Sequence, residues 1–298
     1  MATGRKRASD FHPRILEMFD GYVHGAISKR DFIRQAGQFA VAGVTGAMIL
    51  DQLQPDYACA AEVAADDPSI SAERISYMSP DGHGTINALM AKPAGASGKL
   101  PAVLVVHENR GLNPYIEDVA RRVAKAGYLA LAPDGLSPLG GYPGNDDEGR
   151  AMQAKLDGAK LMEDFFAAFE FLRDHDGSTG KVGAVGFCYG GGVCNALAVA
   201  YPDLAASVPY YGRQPEAAEV PAIEAPLMVQ LAGLDERINA GWPVYEAALA
   251  EHQKEYSVHF YPDVNHGFHN DTTPRYDEEA AKLSWQRTLA FFETHLRG

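Results

Sequence analysis

Cysteine is scarce in this chain: three among 298 residues, at Cys59, Cys188 and Cys194. An odd, low count is not a disulfide framework. No histidine or cysteine stands at zinc-like spacing beside Cys188 and Cys194, which argues against a structural zinc centre and leaves no metal or cofactor to assign. Positive charge is also short, with 26 Lys plus Arg against 39 Asp plus Glu and a net charge of −13. Phosphate backbones need clustered Lys and Arg, so nucleic acid is excluded as the main partner, while small molecules stay open. No apolar run reaches about 18 residues, the length a stable membrane span requires. Internal repeats and low-complexity tracts are missing as well.

What is present centres on Lys181-Val182-Gly183-Ala184-Val185-Gly186-Phe187-Cys188-Tyr189-Gly190-Gly191-Gly192. A strand-like run ends at Gly186, and a helix-like run covers Val193 to Ala200. Between them Cys188 occupies the centre of G-x-nucleophile-x-G, the pattern of a strained strand-to-helix elbow. Glycines flank such an elbow because side chains there would strike neighbouring backbone. The helix N-terminus favours a thiolate and a developing oxyanion. Against this stands a plainer reading of Cys188 as a small buried hydrophobe. Cys194, inside the expected helix, reads as packing.

The surrounding pattern alternates. Ala72–Met78 and Thr85–Lys92, joined through Asp81-Gly82, read as an antiparallel hairpin. Ala102–His107 is a continuous apolar run, suited to a strand buried on both faces. Tyr115–Ala126 reads as a helix, Tyr128–Ala132 as a strand, and Arg150–His175 as one long amphipathic helix. The glycine- and proline-rich Leu136–Gly149 lacks periodicity and is expected to cover a site. Val182–Phe187, Ala206–Tyr211, Leu227–Ala232 and Ser257–Tyr261 are further strands; Ala240–Glu255 and Pro274–His295 are further helices. Such alternation predicts an α/β fold with a mostly parallel central sheet and helices on both faces, over residues 63–298. Sites in such sheets form at the C-terminal strand ends.

Residues 1–62 differ. Met1–Ser9 is basic, and Asp10–His24 can form a short amphipathic helix. Ser28 can cap a helix leading into the apolar run Ala36–Leu50. Ser28-Lys29-Arg30-Asp31-Phe32-Ile33-Arg34 resembles a twin-arginine export signal, with Lys29 where that signal has arginine and an unusually long stretch ahead of it. Ala58-Cys59-Ala60 would serve as a small-residue cleavage site. Two readings stand: an export signal, giving a periplasmic protein, or a retained helical arm on a cytoplasmic one. Ala61–Ser71 reads as a polar linker.

A thiol nucleophile needs a base, and the base an orienting group. Asp235 lies just past the strand Leu227–Ala232, and His266 follows Ser257–Tyr261 and a short loop. Cys188, Asp235, His266 is the nucleophile, acid, histidine order of α/β-hydrolases. Asp235 would also serve simply as a helix cap, and His266 as a turn residue. His107-Glu108-Asn109-Arg110-Gly111-Leu112 closes the first buried strand, where the second oxyanion donor is expected. The backbone N–H of Asn109 is assigned to it, beside that of Tyr189. Glu108 either points to solvent or accepts the thiol proton.

These segments, with His266-Gly267-Phe268, resemble the dienelactone hydrolase family over roughly Ile70–Leu296. The resemblance implies an α/β-hydrolase fold, a Cys188-His266-Asp235 triad and a thioester acyl-enzyme formed from a lactone or small ester. It also implies that Glu108 helps convert the resting thiol to thiolate. Members proper hold the substrate carboxylate with two arginines. One of those positions is Asn270 here, and the segment Leu136–Gly149, where the other belongs, contains no arginine. Arg110, Arg150, Arg213 and Arg275 are substitutes without a positional match. The expected substrate therefore carries a less charged acyl group. Arg110, Tyr115, Tyr142, Tyr211 and Trp242 are candidate pocket residues. The alternatives are a non-catalytic binding protein on a hydrolase scaffold, or a thiol redox protein using Cys188. Monomer and homodimer are both open.

Overall fold

A computed structural model describes residues 6–40, 43–57 and 61–298. The cleavage-like Ala58-Cys59-Ala60 lies outside the described residues, as do Met1–Arg5 and two positions of the apolar run Ala36–Leu50.

The N-terminal segment folds as three short helices. His12 caps α1 (Pro13–Val23), Ser28 caps α2 (Lys29–Ala36) and Thr45 caps α3 (Gly46–Leu53), each side chain accepting a hydrogen bond from a first-turn N–H. α1 buries Ile15, Leu16, Phe19 and Val23 along one face. They join Phe32, Ala36, Ile49, Leu50 and Leu53 in a core separate from that of the sheet. The run expected after Ser28 is not one helix. It breaks at the 3₁₀ turn Gly37–Phe39 and restarts at Gly46. Gly46 is required because a Cβ there would lie 2.0 Å from the Ile33 carbonyl oxygen, so α2 and α3 touch backbone to backbone. Phe32 is fully buried in this small core. Phe32→Ala is expected to cost about 3–5 kcal/mol locally. In limited proteolysis the segment should then cut early while the sheet stays protected; simultaneous cutting of both would mean the two cores melt together.

The chain then enters an eight-stranded sheet. Its strands are β1 (Ile70–Ser79), β2 (Gly84–Pro93), β3 (Leu100–Val106), β4 (Leu129–Pro133), β5 (Ser178–Phe187), β6 (Ala206–Tyr210), β7 (Leu227–Ala232) and β8 (Tyr256–Tyr261). The spatial order is β1-β2-β4-β3-β5-β6-β7-β8. β1–β2 and β2–β4 are antiparallel; every other pair is parallel. Helices α4 (Pro114–Lys125), α5 (Asp146–Gln153), α6 (Gly158–Asp174), α7 (Tyr189–Ala200), α8 (Glu236–Asn239), α9 (Trp242–Glu251) and α10 (Glu278–Phe292) complete the chain. Two apolar clusters result. One gathers Leu104, Phe165, Phe169, Val193 and Leu249; the other gathers Val105, Ile116, Val123, Phe187 and Phe292.

Three expectations need correction. The single helix over Arg150–His175 is two, because Asp157 accepts from the N–H groups of Ala159 and Lys160 and starts α6 afresh. The helix expected over Ala240–Glu255 is shorter: a separate turn, α8, ends at Asn239 ahead of it, and α9 runs from Trp242, after Gly241, to Glu251. The supposed linker Ala61–Ser71 is pinned where it begins. Asp118 accepts from the N–H groups of Glu62 (3.3 Å) and Val63 (2.8 Å), and Arg121 donates to the Val63 carbonyl. Among the described residues no helix is long and apolar enough to cross a membrane.

Candidate active site

β5 delivers Cys188 at a tight turn, with φ 55° and ψ −110°. A positive φ is strained for a residue with a Cβ, and such strain gathers at functional sites. The flanking glycines make the turn possible. A Cβ on Gly186 would lie 2.1 Å from the Gly190 carbonyl oxygen, and one on Gly190 would lie 2.3 Å from that of Val106. The thiol thus stands at the N-terminus of α7. Cys194 is fully buried, and burial pushes its thiol well above the ordinary range.

Asp235 and His266 are brought to the same strand ends. Asp235 makes two contacts: Oδ1 accepts the Ile238 N–H and caps α8, while Oδ2 lies 2.5 Å from His266 Nδ1. Burial works against its charge, but the adjacent His266 and the capped N–H keep the carboxyl below its usual range. The other ring nitrogen, Nε2, is buried without a hydrogen-bond partner among the described residues. His266 and Cys188 belong to a cluster whose donor atoms, one from each residue, lie within 4.8 Å of one another. Tyr211, buried with φ 37°, sets its ring 4.8 Å from His266. Asn109 follows β3 and Tyr189 opens α7, the two segments from which backbone oxyanion donors were expected.

Glu108 does not point to solvent. It is buried, pairs with Arg110 Nη2 at 2.6 Å and accepts from Asn270 Nδ2 at 3.1 Å. Its resolved partners do not include the thiol. Arg110 reaches Asp146 at 2.7 Å through its other terminal nitrogen, and Asp146 also accepts from the hydroxyls of Tyr57 and Tyr142. Arg110 is therefore committed to a buried ionic network, while half-buried Tyr142 both joins that network and lines a surface cavity with Leu112, Asp134 and Gly141. Trp242 is buried, with its ring against Tyr245, Tyr256 and Phe260, so its role is packing. Tyr115 is buried too, its hydroxyl bonded to His269.

The group that does meet the thiol was missed. His24, just past the end of α1, places Nε2 3.2 Å from Cys188 Sγ. Its Nδ1 lies 2.8 Å from the Asp20 carbonyl oxygen and 3.2 Å from the Asp20 carboxylate. Burial disfavours the imidazolium, yet the Cys188 charge and Asp20 outweigh it, and the His24 pKa is raised. Asp20 in turn is held far below the carboxylate range despite its own burial, by His24, His266 and Arg275. Arg237 bridges the two histidines, with Nη2 at 3.2 Å from His24 Nε2 and 3.4 Å from His266 Nδ1. Asn109 Nδ2 donates to the Val23 carbonyl at 2.7 Å, fastening the arm beside the elbow. The one local signal was Asp20 four residues ahead of His24, a spacing that puts both on one helix face.

Residues 86–296 match the model of the dienelactone hydrolase family, and residues 2–42 match a separate model described as YqhI-like. A hydrolase fragment of Escherichia coli K12, YghX, whose assignment is provisional, is 64% identical over 114 residues, 38% of this chain and 97% of the fragment. A candidate carboxymethylenebutenolidase of Saccharolobus solfataricus is 30% identical over 244 residues, 69% of this chain and 93% of the relative. The crystal structure of a candidate dienelactone hydrolase of Klebsiella pneumoniae superposes with a TM-score of 0.65 at 28% identity, covering 74% of this chain and 98% of that one.

Proposed function

The chain belongs to the dienelactone hydrolase family, and on that premise we propose that it cleaves a lactone or small carboxylic ester through a thioester on Cys188. The observation that carries this reading is the elbow: a cysteine at φ 55° on a helix N-terminus, with the buried His266–Asp235 pair beside it. A strained turn keeps the sulfur out of regular secondary structure, and helix N–H groups favour the charge that attack develops. Asp235 fixes the tautomer that leaves His266 Nε2 to shuttle protons. Backbone N–H groups of Tyr189 and Asn109 are the oxyanion donors in this scheme.

The acyl group is small and uncharged. Two of the arginines that could replace the family's carboxylate clamp are held in close ion pairs, Arg110 with Glu108 and Asp146, and Arg150 with Asp147. Arg213 is exposed, and Arg275 is buried facing Asp20 at 3.5 Å. To use Arg110 or Arg150, an anionic substrate would have to displace one of their partners.

A panel of an aryl acetate, a neutral enol-lactone and dienelactone tests both parts, with acid-quenched enzyme examined by mass spectrometry. Neutral substrates should turn over faster than dienelactone, and the Cys188 peptide should carry the acyl mass. Faster dienelactone turnover would overturn the specificity; turnover with no acyl adduct under burst conditions would overturn the thioester.

A further inference from the structure

We infer that the N-terminal arm is a working part of the active site: His24, held by Asp20, is the base that receives the Cys188 proton. This rests on Cys188 being the nucleophile. Two histidine–carboxylate pairs converge on one sulfur, but only one makes contact. His24 Nε2 is at hydrogen-bond distance from Sγ, whereas His266 Nε2, itself buried, has no hydrogen-bond partner among the described residues. Glu108, the other candidate acceptor, is occupied by Arg110 and Asn270.

The groups facing His24 define its task. Asp20 on α1 lies behind Nδ1, so the Nδ1–H is directed at the arm's own backbone and carboxylate. That makes Nε2 the acceptor, facing the thiol at 3.2 Å with Arg237 Nη2 at 3.2 Å as the other donor to the same lone pair, the same tautomer logic that Asp235 imposes on His266. Arg237 of α8 stands against both rings and pairs with Asp20 through Nε at 3.2 Å. Its charge opposes accumulation of an imidazolium, and Asp20 compensates. His266 meets the His24 ring edge-on at 4.8 Å. Arg275, fully buried over the Phe19 ring, faces Asp20 from the opposite side at 3.5 Å. The arm is fastened on three sides, by Asn109 to the Val23 carbonyl, Arg237 to Asp20 and Lys29 to Asp147.

The division of labour balances. The S–H bond breaks, its proton goes to His24 Nε2, and the sulfur pair forms the bond to the ester carbon while the C=O π pair moves to oxygen. When C=O re-forms, the bond to the leaving oxygen breaks, and that oxygen takes the proton from His24. Water then adds to the thioester carbon and gives a proton to His266 Nε2. The C–S bond breaks, and the departing sulfur recovers that proton. The sum is ester plus water to acid plus alcohol. With two bases, acylation and deacylation need not share one imidazole in one orientation.

The test is the pH dependence of Cys188 alkylation by iodoacetamide, read on its peptide in the full chain, for wild type, His24→Gln and Asp20→Asn. Aryl ester turnover is followed in parallel. At pH 7, His24→Gln is expected to slow alkylation about tenfold or more and to move its midpoint to higher pH. Asp20→Asn keeps the ring and should fall between His24→Gln and wild type. Protease resistance of the arm in that variant separates lost chemistry from lost docking. Alkylation profiles like wild type in both variants overturn the inference. So does faster alkylation with faster turnover, which would make the arm a plug. A fully active Cys188→Ala variant would instead sink the nucleophile itself, so the two failures are distinguishable.

Discussion

Cys188→Ala is expected to lower kcat/KM for the best ester of the panel by about 10⁴-fold or more, a loss of about 5.5 kcal/mol of transition-state stabilisation. The magnitude follows from what remains. Alanine leaves the glycine-flanked turn, the helix N-terminus and both histidine–carboxylate pairs intact, so binding and oxyanion stabilisation survive while covalent attack does not. The change is nearly silent for folding, because a methyl at the elbow asks for the same φ as the cysteine it replaces. A melting temperature within a few degrees of wild type therefore accompanies the kinetic loss. Asp235→Asn should lose activity on a comparable scale, since an amide favours the wrong His266 tautomer. Iodoacetamide gives the same contrast without mutation: Cys188 is partly exposed and Cys194 fully buried with its thiol pushed up, so Cys188 should be modified first. Retention of more than a tenth of wild-type turnover by Cys188→Ala would end the covalent mechanism.

The legible parts of the molecule were those in which a local constraint repeats at short range. Ala102–His107 reads as a central strand because its first five positions are all apolar, and β3 lies between β4 and β5. Gly186 and Gly190 bracket Cys188 because each lies against backbone, and that close approach shows in sequence as an obligatory missing side chain. Asp235 and His266 were found because strand ends in a parallel sheet converge. Contacts made across long stretches of chain left no such trace. His24 meets Cys188 from 164 residues away, and nothing in the intervening sequence fixes where the arm docks. The break at Asp157 was hidden because Ala154 and Leu161 keep helical spacing across the capping residue. Glu108 and Arg110, two residues apart, read as a candidate proton acceptor and a candidate pocket residue. Only the arrival of Asp146 and Asn270 makes them a buried network.

That network sets the second large effect. Arg110→Met should destabilise the fold by about 3–5 kcal/mol, roughly a 6–15 °C fall in melting temperature for a domain of this size. Arg110 is held as guanidinium: burial opposes its charge, but Glu108 and Asp146 more than compensate and raise its pKa well above the ordinary value. Removing it leaves two buried carboxylates facing each other without a cation, the costly half of a broken buried pair. The sign with pH follows. Two buried like charges without their cation penalise the ionised form, and acidification relieves that penalty. The deficit of Arg110→Met against wild type is therefore largest at neutral pH and shrinks on acidification towards pH 5. Glu108→Gln in the same chain should recover part of the loss, because it deletes one stranded charge while keeping its shape. Denaturant melts of wild type, Arg110→Met and the double variant at pH 5 and pH 8 decide it: equal deficits at both pH values would mean that lost packing, not stranded charge, governs the site.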